Sequence, residues 1–284
     1  MSKRNLFLGT AAGKVGDVVV YRAGGTQRAR VRVVPKDPKT SSQMVQRSRI
    51  GGVVATYRAA KGLLQDTFES KPSKQSAYNS FAQEALPTAP VMIKKLVDAG
   101  CAFPMPMTIS RGSLPNPFSS IDASTDELDA LVQGANMGAN PTIKSISEAL
   151  IAARPCCFKN GTEVIGIAIE YIKDESLGND YYKPHLVVEK FTLDTDDATA
   201  YSASAFFEIE QAADGILFNV IPNTTIPVVM GIVIANTDAD GIHVTSAQGY
   251  MNTVAQSLYT QWTTTTREQE VAESYGASGG SCVL

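Results

Sequence analysis

Two stretches, Thr162-Glu163-Val164-Ile165-Gly166-Ile167-Ala168-Ile169-Glu170-Tyr171-Ile172 and Ile226-Pro227-Val228-Val229-Met230-Gly231-Ile232-Val233-Ile234-Ala235-Asn236, are dense in β-branched residues. Side chains forked at Cβ pack well on a pleated surface and lose rotamer freedom in a helix, so both stretches read as strands. Further β-type runs at 184–193, 203–211 and 215–221 are separated by clusters of Gly, Asn, Asp and Pro. Several short strands punctuated by turns predict a sandwich-like or mixed β domain.

Outward from these runs the pattern changes. Downstream, 241–262 reads as a strand or hairpin followed by a short helix, and the polar residues from Thr263 read as a flexible or lattice-contacting tail. Upstream, Thr142 caps a short helix to Ala153, and Thr108 to Pro115 reads as a strand entering a turn. Helices are expected at about 43–69, capped by Ser41 or Ser42, at 74–86 and at 91–98. Met44, Ile50, Val54, Tyr57 and Leu64 share one face of the first, with Arg47, Arg58 and Lys61 left to solvent; Gly51, Gly52 and Gly62 weaken it. Residues 6–34 read as strand, turn, strand, with Gly24-Gly25 as a hairpin turn, and Pro35 to Thr40 as an extended linker. The expected class is α+β, an N-terminal β-hairpin and helices followed by a mainly antiparallel β-sandwich-like domain. Its segments are a basic arm and linker (1–40), a helical segment (41–106), a β-rich domain (107–262) and a polar tail (263–284).

The 284 residues are 44% hydrophobic and 19% charged, which suffices for a core and excludes a wholly disordered chain. No apolar run approaches the roughly 18 residues of a membrane span, and Leu6-Phe7-Leu8 falls short of the ~7-residue minimum of a signal peptide, so a soluble, untargeted protein without membrane contact is expected. The net charge of −3 conceals a strong polarity: residues 1–61 hold 13 Lys or Arg against two Asp, while the rest holds 12 basic and 26 acidic side chains. That is the layout of a polyanion-binding arm on an acidic body, or equally of a basic segment that pairs with the acidic body of its own chain or of a neighbouring subunit.

Motifs for chemistry are nearly absent. Gly9-Thr10-Ala11-Ala12-Gly13-Lys14 lacks the spacing and the following Ser or Thr of a phosphate loop, and reads as a turn. Asn236-Thr237-Asp238-Ala239-Asp240-Gly241 opens like a calcium loop, but Ala247 stands where the bidentate Glu belongs, so it reads as a surface turn. The carboxylates of Asp194, Asp196 and Asp197, and of Asp126, Glu127 and Asp129, read as solvated faces, and His185 and His243 as ordinary strand residues. Four cysteines (101, 156, 157, 282) form no C-x-x-C and read as reduced thiols; Cys282 sits one residue too close to the end for prenylation. No catalytic residue, metal ligand or cofactor is expected. Arg28, Arg30 and Arg32 fall on one strand face, about 6.6 Å apart in succession, with Ala29, Val31 and Val33 on the other. Lys14, Arg22, Lys36, Lys39, Arg47 and Arg49 complete the candidate contact residues, and Tyr21 offers a stacking surface. Three readings stand side by side: a non-specific, salt-sensitive polyanion contact, a subunit-binding arm, and a solvated face.

Gly13-Lys14-Val15-Gly16-Asp17-Val18-Val19, then Pro38-Lys39-Thr40 with Gln43 and Gln46-Arg47, then Ala77-Tyr78-Asn79, then Ile109-Ser110-Arg111-Gly112-Ser113-Leu114-Pro115 stand in that order. Over residues 5–118 the chain resembles an uncharacterised family of gut Bacteroidetes and their small microvirus-like phages; the region after 120 matches only in its β-rich character. The resemblance implies association with phages or mobile elements rather than metabolism, and carries over no catalytic residue. With the charge layout, it yields the expectation of a non-enzymatic phage structural or assembly protein, a capsid or tail component, located in the virion or host cytoplasm. Its expected partners are copies of itself, other virion proteins and non-specifically bound nucleic acid. A DNA-binding accessory protein and a surface adhesin or carbohydrate-binding module are the alternatives.

Overall fold

A computed structural model describes residues 13–23, 26–33, 37–69, 75–123 and 127–277. The chain divides into two compact units, residues 1–38 and 39–284. The first is a three-stranded antiparallel sheet of β1 (Gly13–Val15), β2 (Val18–Ala23) and β3 (Thr26–Val31), in that order. Val15 pairs with Val18, so Gly16 and Asp17 make a two-residue turn, and Gly16 takes the positive φ (58°) that such turns require and side chains resist. Ala23 pairs with Thr26, leaving Gly24-Gly25 as the second connection; these two residues, and the strand expected at Leu6–Leu8, lie outside the described residues. Beyond β3, the Arg32 backbone N–H donates to the Asp17 carbonyl at 2.6 Å.

In the second unit the chain runs through α1 (Ser41–Ala59), α2 (Lys61–Thr67), α3 (Ala77–Ala85), α4 (Lys94–Asp98), β4 (Met107–Ser110), β5 (Ser120–Asp122), β6 (Leu128–Gln133) and α5 (Ile143–Ala153). It continues through β7 (Glu163–Lys173), β8 (Tyr182–Thr192), β9 (Phe207–Gln211), β10 (Gly215–Val220), β11 (Val228–Asp238), β12 (Gly241–Val244), β13 (Ala247–Met251), α6 (Thr253–Gln261) and α7 (Thr265–Ser274). The strands form two antiparallel sheets: four strands in the order β5-β6-β10-β9, and six in the order β4-β13-β11-β7-β8 with β12 also paired to β11. The fold is α+β, with the sheets packed as a sandwich.

The apolar runs of β7 and β11 are unbroken because the six-stranded sheet is covered on both faces. Val164, Ala168, Val228, Met230 and Ile232 share a core with Leu128, Val132 and Phe218 of the four-stranded sheet. Ile165, Ile167, Ile169, Val229 and Val233, one residue out of phase, share another with Leu64, Phe68 and Phe81 of the helical layer. Two strand glycines set the spacing of the layers. A Cβ at Gly166 would lie 2.6 Å from the Phe207 ring, and one at Gly231 would lie 2.3 Å from Ile109 Cδ1.

Three helical expectations are corrected. The long helix breaks at Ala60 into α1 and α2, and its cap is Thr40, whose hydroxyl accepts from the Gln43 backbone N–H at 3.4 Å. Ile50 is exposed, and the buried seam of α1 runs instead through Met44, Val45, Ser48, Gly52, Val53 and Thr56. Small residues give close approach here: a Cβ at Gly51 would lie 2.3 Å from Val97 Cγ1, and Ser48 Oγ donates to the Met92 carbonyl at 2.7 Å. The third correction concerns the tail. Residues 265–274 form α7, capped by Thr264, whose Val271 and Ala272 are buried with Met44, Val45 and Val91. Two apolar residues on one helical turn give this element its anchor, too little for a composition-based reading to register.

Candidate functional site

The N-terminal sheet sorts its side chains by register. Lys14 stands opposite Val19, Val19 opposite Arg30 and Tyr21 opposite Arg28, which places Lys14, Arg28, Arg30 and Tyr21 on one face. All four are exposed, and the Arg30 guanidinium lies over the Tyr21 ring, 5.6 Å from its centre. Arg32 is exposed just beyond the end of β3. On the other face Val18 is 38% exposed and Val31 70%. Arg22 pairs in the ladder with Gln27, and Lys36 lies outside the described residues. Within residues 1–38 there are eight Lys and Arg against two Asp, a net +6, and the remaining chain carries −9.

The other candidates belong to the second unit. Lys39 is exposed and takes a left-handed φ of 47° immediately before the cap of α1. Arg47 is exposed on α1, with one guanidinium nitrogen 3.8 Å from Met44 Sδ. Arg49 is three-quarters buried and pairs with Glu268 of α7 at 2.6 Å. The candidate set therefore divides: Lys14, Arg28, Arg30 and Arg32 share one small sheet, whereas Arg49 holds α7 to α1.

A second cluster was not anticipated. Glu69, just past α2, receives the Ser113 hydroxyl at 2.5 Å and the His243 Nδ1 at 2.8 Å on one oxygen, and the backbone N–H groups of Val244 (2.9 Å) and Ser113 (3.2 Å) on the other. His243 Nε2 lies 3.4 Å from an Asp238 oxygen. Burial pushes the Glu69 carboxyl up, but the Ser113 hydroxyl, the Val244 N–H and His243 together hold it at about 2. The Glu69 hydrogen bond raises the His243 pKa, partly opposed by desolvation and reinforced by the charge of Asp238. Ser113 Oγ lies 3.3 Å from His243 Nδ1, so the hydroxyl, the imidazole and the Glu69 carboxylate are mutually in contact.

The same region explains the Ile109–Pro115 motif residue by residue. Thr67 Oγ1 donates to the Ile109 carbonyl, Ser110 Oγ to the Thr245 carbonyl, and the Gly112 N–H to Ser246 Oγ. Arg111 pairs with Glu84 of α3 at 2.6 Å, and the Leu114 N–H donates to the Val244 carbonyl. At Gly112 a Cβ would lie 2.0 Å from that carbonyl oxygen, so only glycine fits. The motif is a clasp that ties the helical layer to β12 and the bend that follows it. Tyr78 of the Ala77-Tyr78-Asn79 motif stacks edge-on against Tyr57 of α1, with ring centres 5.2 Å apart.

The remaining motifs take structural places. Asp238 to Gly241 is the tight turn between β11 and β12, with Asp238 Oδ1 accepting from the Asp240 N–H, while Asn236 is buried and bonded to Thr162 and the Cys157 carbonyl. Asp194 and Asp197 accept backbone N–H groups two residues on. Gly9 to Ala12, Asp126 and Cys282 lie outside the described residues. A groove of about 240 Å³ beside α2 is lined by Leu63, Leu186, Val188 and Ile242, with Lys190 and Glu163 paired at 2.8 Å among its lining residues. Among the described residues no helix is long and apolar enough to cross a membrane. No protein-family model, curated protein or solved structure matches the chain.

Proposed function

We propose that this chain is a non-enzymatic structural or assembly protein of a phage particle, acting in the virion or the host cytoplasm, with its basic N-terminal sheet contacting neighbouring subunits or packaged nucleic acid. The observation that supports it best is the concentration of Lys14, Arg28, Arg30 and Tyr21 on one exposed face of a small separate unit of net +6, joined to a unit of −9. A lattice amplifies individually weak contacts, because each bound arm raises the effective concentration of the next. The phage assignment itself comes from the resemblance of residues 5–118 to the phage-associated family.

A second reading, a nucleic-acid-binding accessory protein, is favoured by one specific feature: the Arg30 guanidinium set over the Tyr21 ring, a cation and aromatic surface of the kind that stacks bases in single-strand binders. Light-scattering mass of the full chain at low and high salt, with and without single-stranded DNA, separates the two. Defined assemblies without DNA support the structural role. A monomer whose DNA affinity falls steeply with salt refutes it in favour of the accessory role.

A further inference from the structure

Strand register lays carboxylates across the outward face of the four-stranded sheet. Asp122 stands opposite Asp129, Asp129 opposite Asn219, and Asn219 opposite Glu208. Glu127 lies two residues before Asp129 and Glu210 two residues after Glu208, the spacing that returns to the same face. The alternate residues, Leu128, Ala130, Phe218 and Ile209 among them, fill the core on the inward face.

Like charges facing one another across a ladder, as Asp122 and Asp129 do, are destabilising. Among the described residues no salt bridge reaches Asp129, Glu208 or Glu210. Burial, and after it the charges of Glu127, Asp122 and Glu210, raise the Asp129 pKa. Between the charges sits Asn219, only 8% exposed, whose Oδ1 has no hydrogen-bond partner among the described residues. A buried acceptor left without a donor is costly, and this one lies between the carboxylates of Asp129 and Glu208. The carboxylates are spread over three of the four strands and do not converge: among the described residues no three acidic, Cys or His groups form a metal-binding cluster. The face calls for several cationic N–H donors spread over a surface.

The N-terminal sheet presents such donors on the same grid. Lys14 and Arg30 lie two strands apart with Val19 between them, as Asp129 and Glu208 lie two strands apart with Asn219 between them. Arg28 is two residues along the strand from Arg30, as Glu210 is from Glu208. Both grids have strand spacings of about 4.8 Å and residue-pair spacings of about 6.6 Å.

We propose that the cationic face of the N-terminal sheet docks on the acidic outer face of the four-stranded sheet in a second copy of this chain. The proposal rests on the assembly reading and specifies the surface that receives the arm. Arg28 and Arg30 pair with the carboxylates of β9 and Lys14 with Asp129, which sets Val19 over Asn219. Because arm and receptor are different surfaces, each docked copy still offers one of each, and the contact propagates into a ring or an open array.

Two full-length variants test it: Arg28→Glu with Arg30→Glu, which reverses the arm, and Asp129→Lys with Glu208→Lys, which reverses the face. Each alone is expected to lose association at least tenfold by light scattering, and an equimolar mixture to regain it, since each supplies the surface the other lacks. Recovery in the mixture also establishes that both variants are folded. Cooperative unfolding of both near the wild-type midpoint, with a mixture that remains monomeric, overturns the proposal. If the face-reversed variant assembles like wild type, this contact is discarded while the assembly reading stands; if wild type is monomeric at every salt concentration, both fall. Loss of thymidine-oligonucleotide binding alone in the arm-reversed variant assigns the arm to nucleic acid and likewise overturns the proposal.

Discussion

Replacing Gly112 by Ala tests the clasp at its tightest point. The added Cβ would lie 2.0 Å from the Val244 carbonyl oxygen and 2.5 Å from Val244 Cγ2, against the 3.4 Å or more of ordinary contact. The first of these is backbone and cannot rotate away, so β12 must retreat by about 1 Å or more. That movement breaks the Leu114 N–H bond to the Val244 carbonyl and loosens the Val244 N–H bond to Glu69. Overpacking at about 2 kcal/mol and one lost hydrogen bond at about 1 give roughly 3 kcal/mol. For a domain of this size that lowers the thermal midpoint by about 6–12 °C. Gly62→Ala provides the opposite sign in the same chain. Gly62 lies in α2 with nothing within 4 Å of an added Cβ, so removing its backbone freedom should stabilise by about 0.5–1 kcal/mol. Circular dichroism melts read both. A Gly112→Ala midpoint within about 1 °C of wild type would refute the clasp geometry.

The clasp also predicts a pH signature. Glu69 has its folded pKa depressed to about 2 from 4.5, so its contribution is complete above 4.5 and lost as pH falls toward 2. His243 has its folded pKa raised above 6.5, so its contribution is complete below 6.5 and lost as pH rises through the folded value. Wild type should therefore lose more stability above pH 6.5 than His243→Gln does, and parallel pH profiles of the melting midpoint would contradict this. At Asp129 the raised pKa has the opposite consequence: ionisation destabilises the fold, so Asp129→Asn should raise the midpoint at neutral pH by about 0.4–4 °C, from the roughly 0.2–1 kcal/mol of a like-charged cross-strand pair, while weakening self-association. A lowered midpoint in a high-salt melt would contradict the crowding of that face. Val271→Ala, which empties the fully buried anchor of α7, should cost about 2 kcal/mol and expose residues 265–277 to limited proteolysis; wild-type protease resistance would count against a docked helix.

The strands of the sandwich were legible because β7 and β11 are rich in β-branched residues and bounded by turn residues, and their observed limits differ from the expected ones by one or two residues. The alternation of Ile165 and Ile167 with Val164 and Ala168 between two cores, one of them shared with the helical layer, was not read in the sequence, because an unbroken apolar run does not say what covers each face. The helices were less legible. Ser48, Gly51 and Gly52 look like helix weakeners in sequence, yet they are the residues that let α1 approach Met92 and Val97. Alternation along β3 correctly placed Arg28 and Arg30 together, whereas Arg49 was out of reach of sequence reasoning because its partner Glu268 lies 219 residues away. Separation in sequence also hid the clasp: Glu69, Ser113 and His243 come from three separated segments. The one available signal was His243 standing five residues after Asp238 across a tight turn.

The most direct test of the account is the mass of the full chain by light scattering across a salt series, without and then with single-stranded DNA. An assembling protein held by facing charged surfaces gives defined masses well above 30.3 kDa at low salt without DNA, falling as salt screens the contacts. A mass that stays at one chain at every salt concentration, with DNA bound only at low salt, would contradict it.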